Sequence, residues 1–332
     1  GVAAQALVLF FFWRRAGLRY RPDFRWRGVG LSATGKAAGW LFGMILVTQL
    51  AGIVQSRVAS LASGDAASVS TLQNSWLIFM LPHSVVAVSI ATAYFTRMSG
   101  HASTGDLPAV RSDLSSSLRG IGLLIVFSAV ALAVVAYPFA RFFETEYSKV
   151  LAMGNVILAF LPGLVLFSAL FVVQRVFYAL GDTRTPFIMQ CIQSVIFVGG
   201  ALACTLLPNE WIAVGVAAVT TIAGGTQAII ALVLVRARLG GTGGLVVVKR
   251  YLQYLGLALV SGAVGAGVLV LLGGFSEFGF AQSGKVEAIL AIAVAGTVMS
   301  GCYLGLLVLA RNPELSAVAR PLVNRFVRRG TE

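Results

Sequence analysis

Few residues in this 332-residue chain could carry out chemistry, and most of those lie in apolar surroundings. The two histidines, His83 and His101, are too few and too scattered to form a metal site. The three cysteines, Cys191, Cys204 and Cys302, stand singly in apolar stretches. They read as small packing residues, and neither a disulfide nor a metal is expected of them. No Ser/His/Asp or Cys/His grouping suggests a nucleophile. No G-x-x-x-x-G-K-[ST] loop is present to cradle a nucleoside triphosphate. The residues support neither an enzyme nor a bound cofactor.

Binding residues stand out more clearly. Gln49, Gln55, Asn74, His83, Gln174, Gln190 and Gln193 lie inside or at the ends of long apolar runs, as do Arg57 and Arg175. Polar groups in hydrocarbon are costly and usually face a bundle interior or a wet cavity. Gln49, Gly52, Gln55, Ser56 and Ser60 fall near one helical stripe, with Arg57 at its outer end, where it can snorkel. Pro82 precedes His83 and Ser84 in the next run, and Pro162 interrupts a later one; each proline frees a carbonyl that needs a partner. Thr220, Thr221 and Gln227 mark the sixth run. Taken singly, each of these residues is explained by an interhelical hydrogen bond. As a set they favour a hydrated central cavity lined by the first, second, fourth and fifth runs.

The elements that must position these residues follow from composition. Hydrophobic residues make up 58% of the chain and charged residues 11%, against about 25% charged in soluble domains. That excludes a soluble globular enzyme and a disordered chain, and leaves an all-α polytopic membrane protein. Eight stretches are long and apolar enough to span a bilayer, near 37–57, 71–96, 120–140, 151–174, 187–207, 211–235, 251–272 and 288–310. None contains Asp or Glu. Residues 1–13 form a ninth apolar run too short to cross, and are expected to be the end of a truncated span. Gly35, Gly39 and Gly43, and later Gly301 and Gly305, have the small-x-x-x-small spacing that lets helices approach closely. The last two runs are almost free of polar side chains, and face lipid or line an apolar groove.

The net charge of +13 could suggest nucleic acid, but its distribution argues otherwise. If the loops alternate sides, 21 of the 25 Lys and Arg fall on one side and four on the other, while the acids divide evenly. Basic loops stay cytoplasmic. A basic linker, 14–36, and a basic tail, 311–332, are thus expected inside. Nucleic acid is not expected as a partner; anionic inner-leaflet lipid is a secondary reading.

One segment is specific. Phe177-Tyr178-Ala179-Leu180-Gly181-Asp182-Thr183-Arg184-Thr185-Pro186 resembles the F-Y-A-x-x-D-T-R-T-P signature of the MurJ/MviN family, with Tyr178, Asp182, Arg184 and Pro186 at its defining positions. Leu81-Pro82-His83-Ser84-Val85, followed by Ser89-Ile90-Ala91-Thr92-Ala93, looks like the actinobacterial form of the family's second-lobe pattern. That family comprises lipid II flippases of bacterial peptidoglycan synthesis, within the superfamily of multidrug and oligosaccharidyl-lipid exporters. The resemblance implies that residues 37–240 are the second six-helix lobe of a two-lobe exporter fold, and 241–310 two additional helices that guide a polyprenyl tail. It implies a missing N-terminal lobe, and alternating access that carries the lipid-linked disaccharide–pentapeptide across the cytoplasmic membrane. Cell-wall synthesis or regulatory proteins are implied partners, and coupling to an ion or to the membrane potential is left open. Many members carry an Asp-Arg pair just before the proline of the second span, where this chain has Trp76-Leu77. Two alternatives are a drug/cation antiporter of the same superfamily and a non-transporting scaffold for cell-wall regulators.

Overall fold

The computed structural model describes residues 31–62, 69–241 and 243–316, together with Leu7, Val8, Phe10, Phe12 and Trp13. Most of the short first run, the basic linker as far as residue 30, and the tail from residue 317 lie outside the described residues. The chain divides into two compact units, residues 1–39 and 40–332. In the smaller unit the five described residues near the start are helical, and helix α1 (Leu31–Ala59) begins there. The larger unit is a helical bundle; among the described residues, every regular element is a helix or turn of helix.

Among the described residues, eight helices or helix pairs are long and apolar enough to span a bilayer. After α1 come α2 (Val69–Pro82), a π-helical turn (His83–Ala87) and α3 (Val88–Ser103), which together form one long rod. Proline 82 explains the wide turn. It offers no N–H to the ladder, and beyond it the Val88 N–H reaches back five residues to the His83 carbonyl. The Ser84 hydroxyl donates to the Met80 carbonyl at 2.6 Å.

The third span differs from the sequence expectation of 120–140. Helix α4 runs Leu107–Val134, starting a full three turns earlier, and the chain breaks at Val135 before the short α5 (Ala136–Phe143). Arg111, Asp113 and Arg119 hide the first turns from a hydropathy reading. Asp106 starts the helix, accepting a hydrogen bond from the Ala109 N–H at 3.0 Å, with Pro108 where no N–H is needed. The break is set by Pro138, which falls in the first turn of α5.

Helix α6 (Tyr147–Ala179) is the hub of the larger unit. Buried positions run round its whole circumference, from Val150 through Phe160 and Leu164 to Phe177. It packs against α2, α3, α4, α5 and α8 (Ile212–Arg238). Helix α7 (Arg184–Ala203) packs on α8. Close helix approach uses glycine where a neighbour intrudes: a Cβ on Gly163 would come within 3.1 Å of the Thr221 hydroxyl, and one on Gly200 within 2.6 Å of Val219.

The last two spans, α9 (Gly244–Leu271) and α11 (Lys285–Leu309), form a pair joined through the short α10 (Phe280–Ser283). Helix α9 packs on α4 as well as α11. Three of their polar side chains bridge this seam. The Ser261 hydroxyl donates to the Met299 carbonyl at 2.6 Å, Tyr303 to Leu123 at 2.7 Å, and Tyr251 to Leu118 at 2.9 Å. The expected glycine contacts in α11 do not form: Gly301 and Gly305 have open space beside them, because the helix turns its other face, through Ala291, Ala295 and Met299, to the seam.

Gly122 is the sharpest test of this packing. A Cβ there would lie 2.6 Å from the Tyr251 ring, whose hydroxyl is tied down. Gly122→Ala is expected to destabilise the bundle by about 1–3 kcal/mol, seen as a lower thermal midpoint in detergent. Gly301→Ala, placed in open space, should leave that midpoint unchanged.

Candidate functional site

The site is a cavity of about 450 Å³ inside the larger unit. Five spans build its wall at helical spacing. From α1 come Thr48, Gln49, Gly52 and Gln55; from α7, Gln190, Gln193 and Phe197; from α8, Thr220, Thr221, Gly224 and Gln227. Positions three, four and seven apart share a helix face, which is why each set points one way. Helices α2 and α6 add Trp76, Phe79, Phe160, Gly163 and Phe167.

The amides form an ordered row. Gln190 Nε2 donates to Gln193 Oε1 at 2.8 Å, and Gln227 Nε2 donates to Gln190 Oε1 at 3.2 Å. Gln227 is only 4% exposed, so its bond to Gln190 fixes α8 against α7. The Thr221 hydroxyl crosses to α6 and donates to the Ala159 carbonyl at 2.8 Å, one turn before Pro162, where the helix ladder is weakened. Through these two bonds the sixth span becomes part of the wall. The sequence reading confined the wall to the first, second, fourth and fifth spans; the structure adds the sixth, and its aim is set by partners on other helices, which spacing within one helix does not show.

A second cavity, of about 360 Å³, adjoins the first through shared Thr48, Gln49, Phe167, Gln190 and Gln227. Gln174 lines it. Thus Gln49, Gln55, Gln174, Gln190 and Gln193 are brought together along two adjoining cavities, among aromatic and aliphatic side chains.

Four other candidates lie outside both linings. His83 is buried; its Nδ1 lies 3.1 Å from the Ser168 hydroxyl and its ring packs on Phe167 at 4.6 Å, so it ties the π turn to α6. Arg175 sits over Phe171 at 4.5 Å and Phe95 at 5.6 Å. Arg57 is exposed near the end of α1, and Asn74 is half-buried in α2.

The signature loop is a clasp between spans. The α6 helix ends at Leu180, and Gly181 takes φ +73°, the left-handed conformation that favours glycine. Asp182 then accepts from the Thr185 N–H at 3.0 Å and its hydroxyl at 2.7 Å, capping α7, while Arg238 at the end of α8 pairs with the same carboxylate at 2.9 Å. Pro186 lies in the first turn of α7 and is buried; Tyr178 is half-buried. The Arg184 guanidinium stands 5.8 Å from the Trp40 ring. None of these four motif residues lines the cavity.

Sequence reasoning missed the aromatic half of the wall. Hydropathy counts Trp76, Phe79, Phe160 and Phe167 as lipid-compatible, yet they pack together, with Trp76 stacked on Phe79 at 4.9 Å and edge-on to Phe160 at 5.5 Å. Trp76 lines the cavity; Leu77 beside it is 60% exposed and does not. Also missed was Asp113, buried in α4 and paired with Arg97 at 2.8 Å.

The fold and the site define a polytopic, all-helical membrane protein with a polar cavity inside its bundle. The chain belongs to the MurJ family: the family model "Lipid II flippase MurJ" matches residues 1–283. A protein of Rhizobium meliloti named "Probable lipid II flippase MurJ" is 28% identical over 188 residues, covering 55% of this chain and 34% of that one. A protein of Borreliella burgdorferi with the same name is 26% identical over 208 residues, covering 58% and 38%. A solved structure titled "Lipid II flippase MurJ, inward closed conformation" superposes with a TM-score of 0.60 at 20% identity, covering 91% of this chain and 60% of the other, and shows the shared fold. The chain spans less than two thirds of the length of these relatives.

The geometry makes a direct prediction about water. With Cys191, Cys204 and Cys302 replaced by Ala, cysteines introduced by Gln49→Cys and Gln193→Cys should react with a membrane-impermeant thiol reagent. Leu259→Cys, on a face that is 55% exposed yet apolar, should not. Equal protection at all three positions would mean the cavity is dry.

Proposed function

We propose that the protein moves lipid II, the lipid-linked peptidoglycan precursor, from the inner to the outer leaflet of the cytoplasmic membrane. It acts as a transporter by alternating access and catalyses no covalent step. The observation that carries this reading is the cavity lined by glutamines, threonines and aromatic rings of five apolar spans, with no charged side chain in its wall, in a chain of the MurJ family. Both curated relatives named above are described as probable lipid II flippases, which supports the same substrate here.

Orientation follows from charge. The helix ends carrying Arg97, Arg111, Arg119, Arg236, Arg238, Lys249 and Arg250 face the cytoplasm under the positive-inside rule, and the C-terminus lies on that side. The apolar outer faces of α9 and α11, including Leu252, Leu259, Ile289 and Val294, are exposed and continuous with the hydrocarbon. They form the surface along which a polyprenyl tail can stay in lipid while its headgroup crosses.

A cation-coupled antiporter would need a titratable carboxylate in its path. No Asp or Glu lines either cavity, and the buried Asp113 is held by Arg97 near the end of its helix. Depletion of the protein in living cells should make lipid II accumulate in the inner leaflet and vanish from the outer one, read by leaflet-specific labelling. Unchanged outer-leaflet lipid II would contradict the proposal.

A further inference from the structure

The cavity wall contains no Lys, Arg, His, Asp or Glu. A phosphate or diphosphate placed there would lose its water and meet no countercharge, which is the most unfavourable way to bury an ion. The wall is suited to something else. Each glutamine offers one carbonyl acceptor and two N–H donors. The row Gln193–Gln190–Gln227 is held in register by its own hydrogen bonds and leaves part of that capacity unspent. On α1, Gln49 and Gln55 meet no hydrogen-bond partner among the described residues. The indole of Trp76 forms part of the same wall, fixed by Phe79 and Phe160.

Fixed amides beside a flat aromatic face match one chemistry. A pyranose ring presents an apolar C–H face that packs on an indole, and a rim of hydroxyl and acetamido groups that exchange hydrogen bonds with amides. The volume of about 450 Å³ falls within the roughly 300–1,000 Å³ range of small-ligand pockets. We infer that this cavity binds the uncharged, N-acetylated sugar portion of the transported amphiphile, and that the diphosphate is held elsewhere. This rests on the transport reading above, and adds which part of the substrate this wall recognises.

The test uses the full protein in lipid nanodiscs, with Thr48→Cys, a wall position outside the amide row, in a background where Cys191, Cys204 and Cys302 are Ala. Its thiol labelling should be slowed several-fold by N,N′-diacetylchitobiose, a neutral N-acetylated disaccharide. Cellobiose, which lacks the acetamido groups, and inorganic pyrophosphate should not slow it. In a second arm, Gln193→Leu and Trp76→Leu should each weaken lipid II binding about tenfold, the effect of losing one good contact. Both should leave binding of undecaprenyl pyrophosphate, which lacks the sugars, unchanged, and that arm also reports a folded protein. Protection by pyrophosphate, or equal weakening of both lipids, would overturn the sugar assignment. If the unaltered protein bound neither lipid, the transport reading itself would fall.

Discussion

A bilayer offers no water to a polar side chain, so such a group in a span is costly unless it finds a partner in its own helix, in another helix or in trapped water. The whole bundle is arranged around that constraint. Ser261, Tyr251 and Tyr303 donate across the seam that joins the last two spans to α4. Thr221 donates to a carbonyl of α6 beside Pro162, and His83 meets Ser168. These contacts join helices that dispersion alone would hold without register. Where polar capacity exceeds what the helices can satisfy, around Gln49, Gln55, Gln190, Gln193 and Gln227, the bundle opens into a cavity.

The charged residues follow a second rule. They collect at helix ends and in connections, where they fix how one span hands over to the next. Asp182 caps α7 and pairs with Arg238 of α8; Asp113 of α4 pairs with Arg97 of α3. Past the last span, Glu314 lies between Arg119 and Arg250, 3.1 and 3.7 Å from them, and so ties the end of the α9–α11 pair to α4. The family signature thus has a local physical meaning: Gly181 turns the chain, Asp182 caps the next helix, and the same carboxylate holds a third. The cavity wall carries no charged side chain, while the ion pairs, the buried Asp113 with Arg97 among them, join one helix to the next.

Much of this was legible in the sequence. Hydropathy placed eight spans, because a run of about 20 apolar residues has few other uses. Gln49, Gln55, Gln190 and Gln193 were singled out because amides in such runs are costly, and the structure brings them to one wall. Three things were not legible, each for a reason. The early start of α4 was masked by Arg111, Asp113 and Arg119; Asp113 and Arg119 are ion-paired with Arg97 and Glu314 on other segments, and Arg111 donates to the Gly240 carbonyl. The contribution of the sixth span depends on two hydrogen bonds to other helices, which periodicity within one helix does not reveal. The aromatic half of the wall was hidden because Trp76 and Phe167 score as membrane-compatible wherever they point. His83 and Arg175, which drew notice as rare polar groups, turn out to brace aromatic packing beside the cavity.

The central claim is that lipid II passes through this glutamine-lined cavity and does not slide over the outside of the bundle. A photo-crosslinking amino acid introduced in living cells at Thr48, in the wall, and at Val195, which is 73% exposed on the outer face of α7, tests it most directly. The account predicts that ultraviolet light joins lipid II to the protein at position 48 and not at position 195. Crosslinking at position 195 with none at 48 would contradict it.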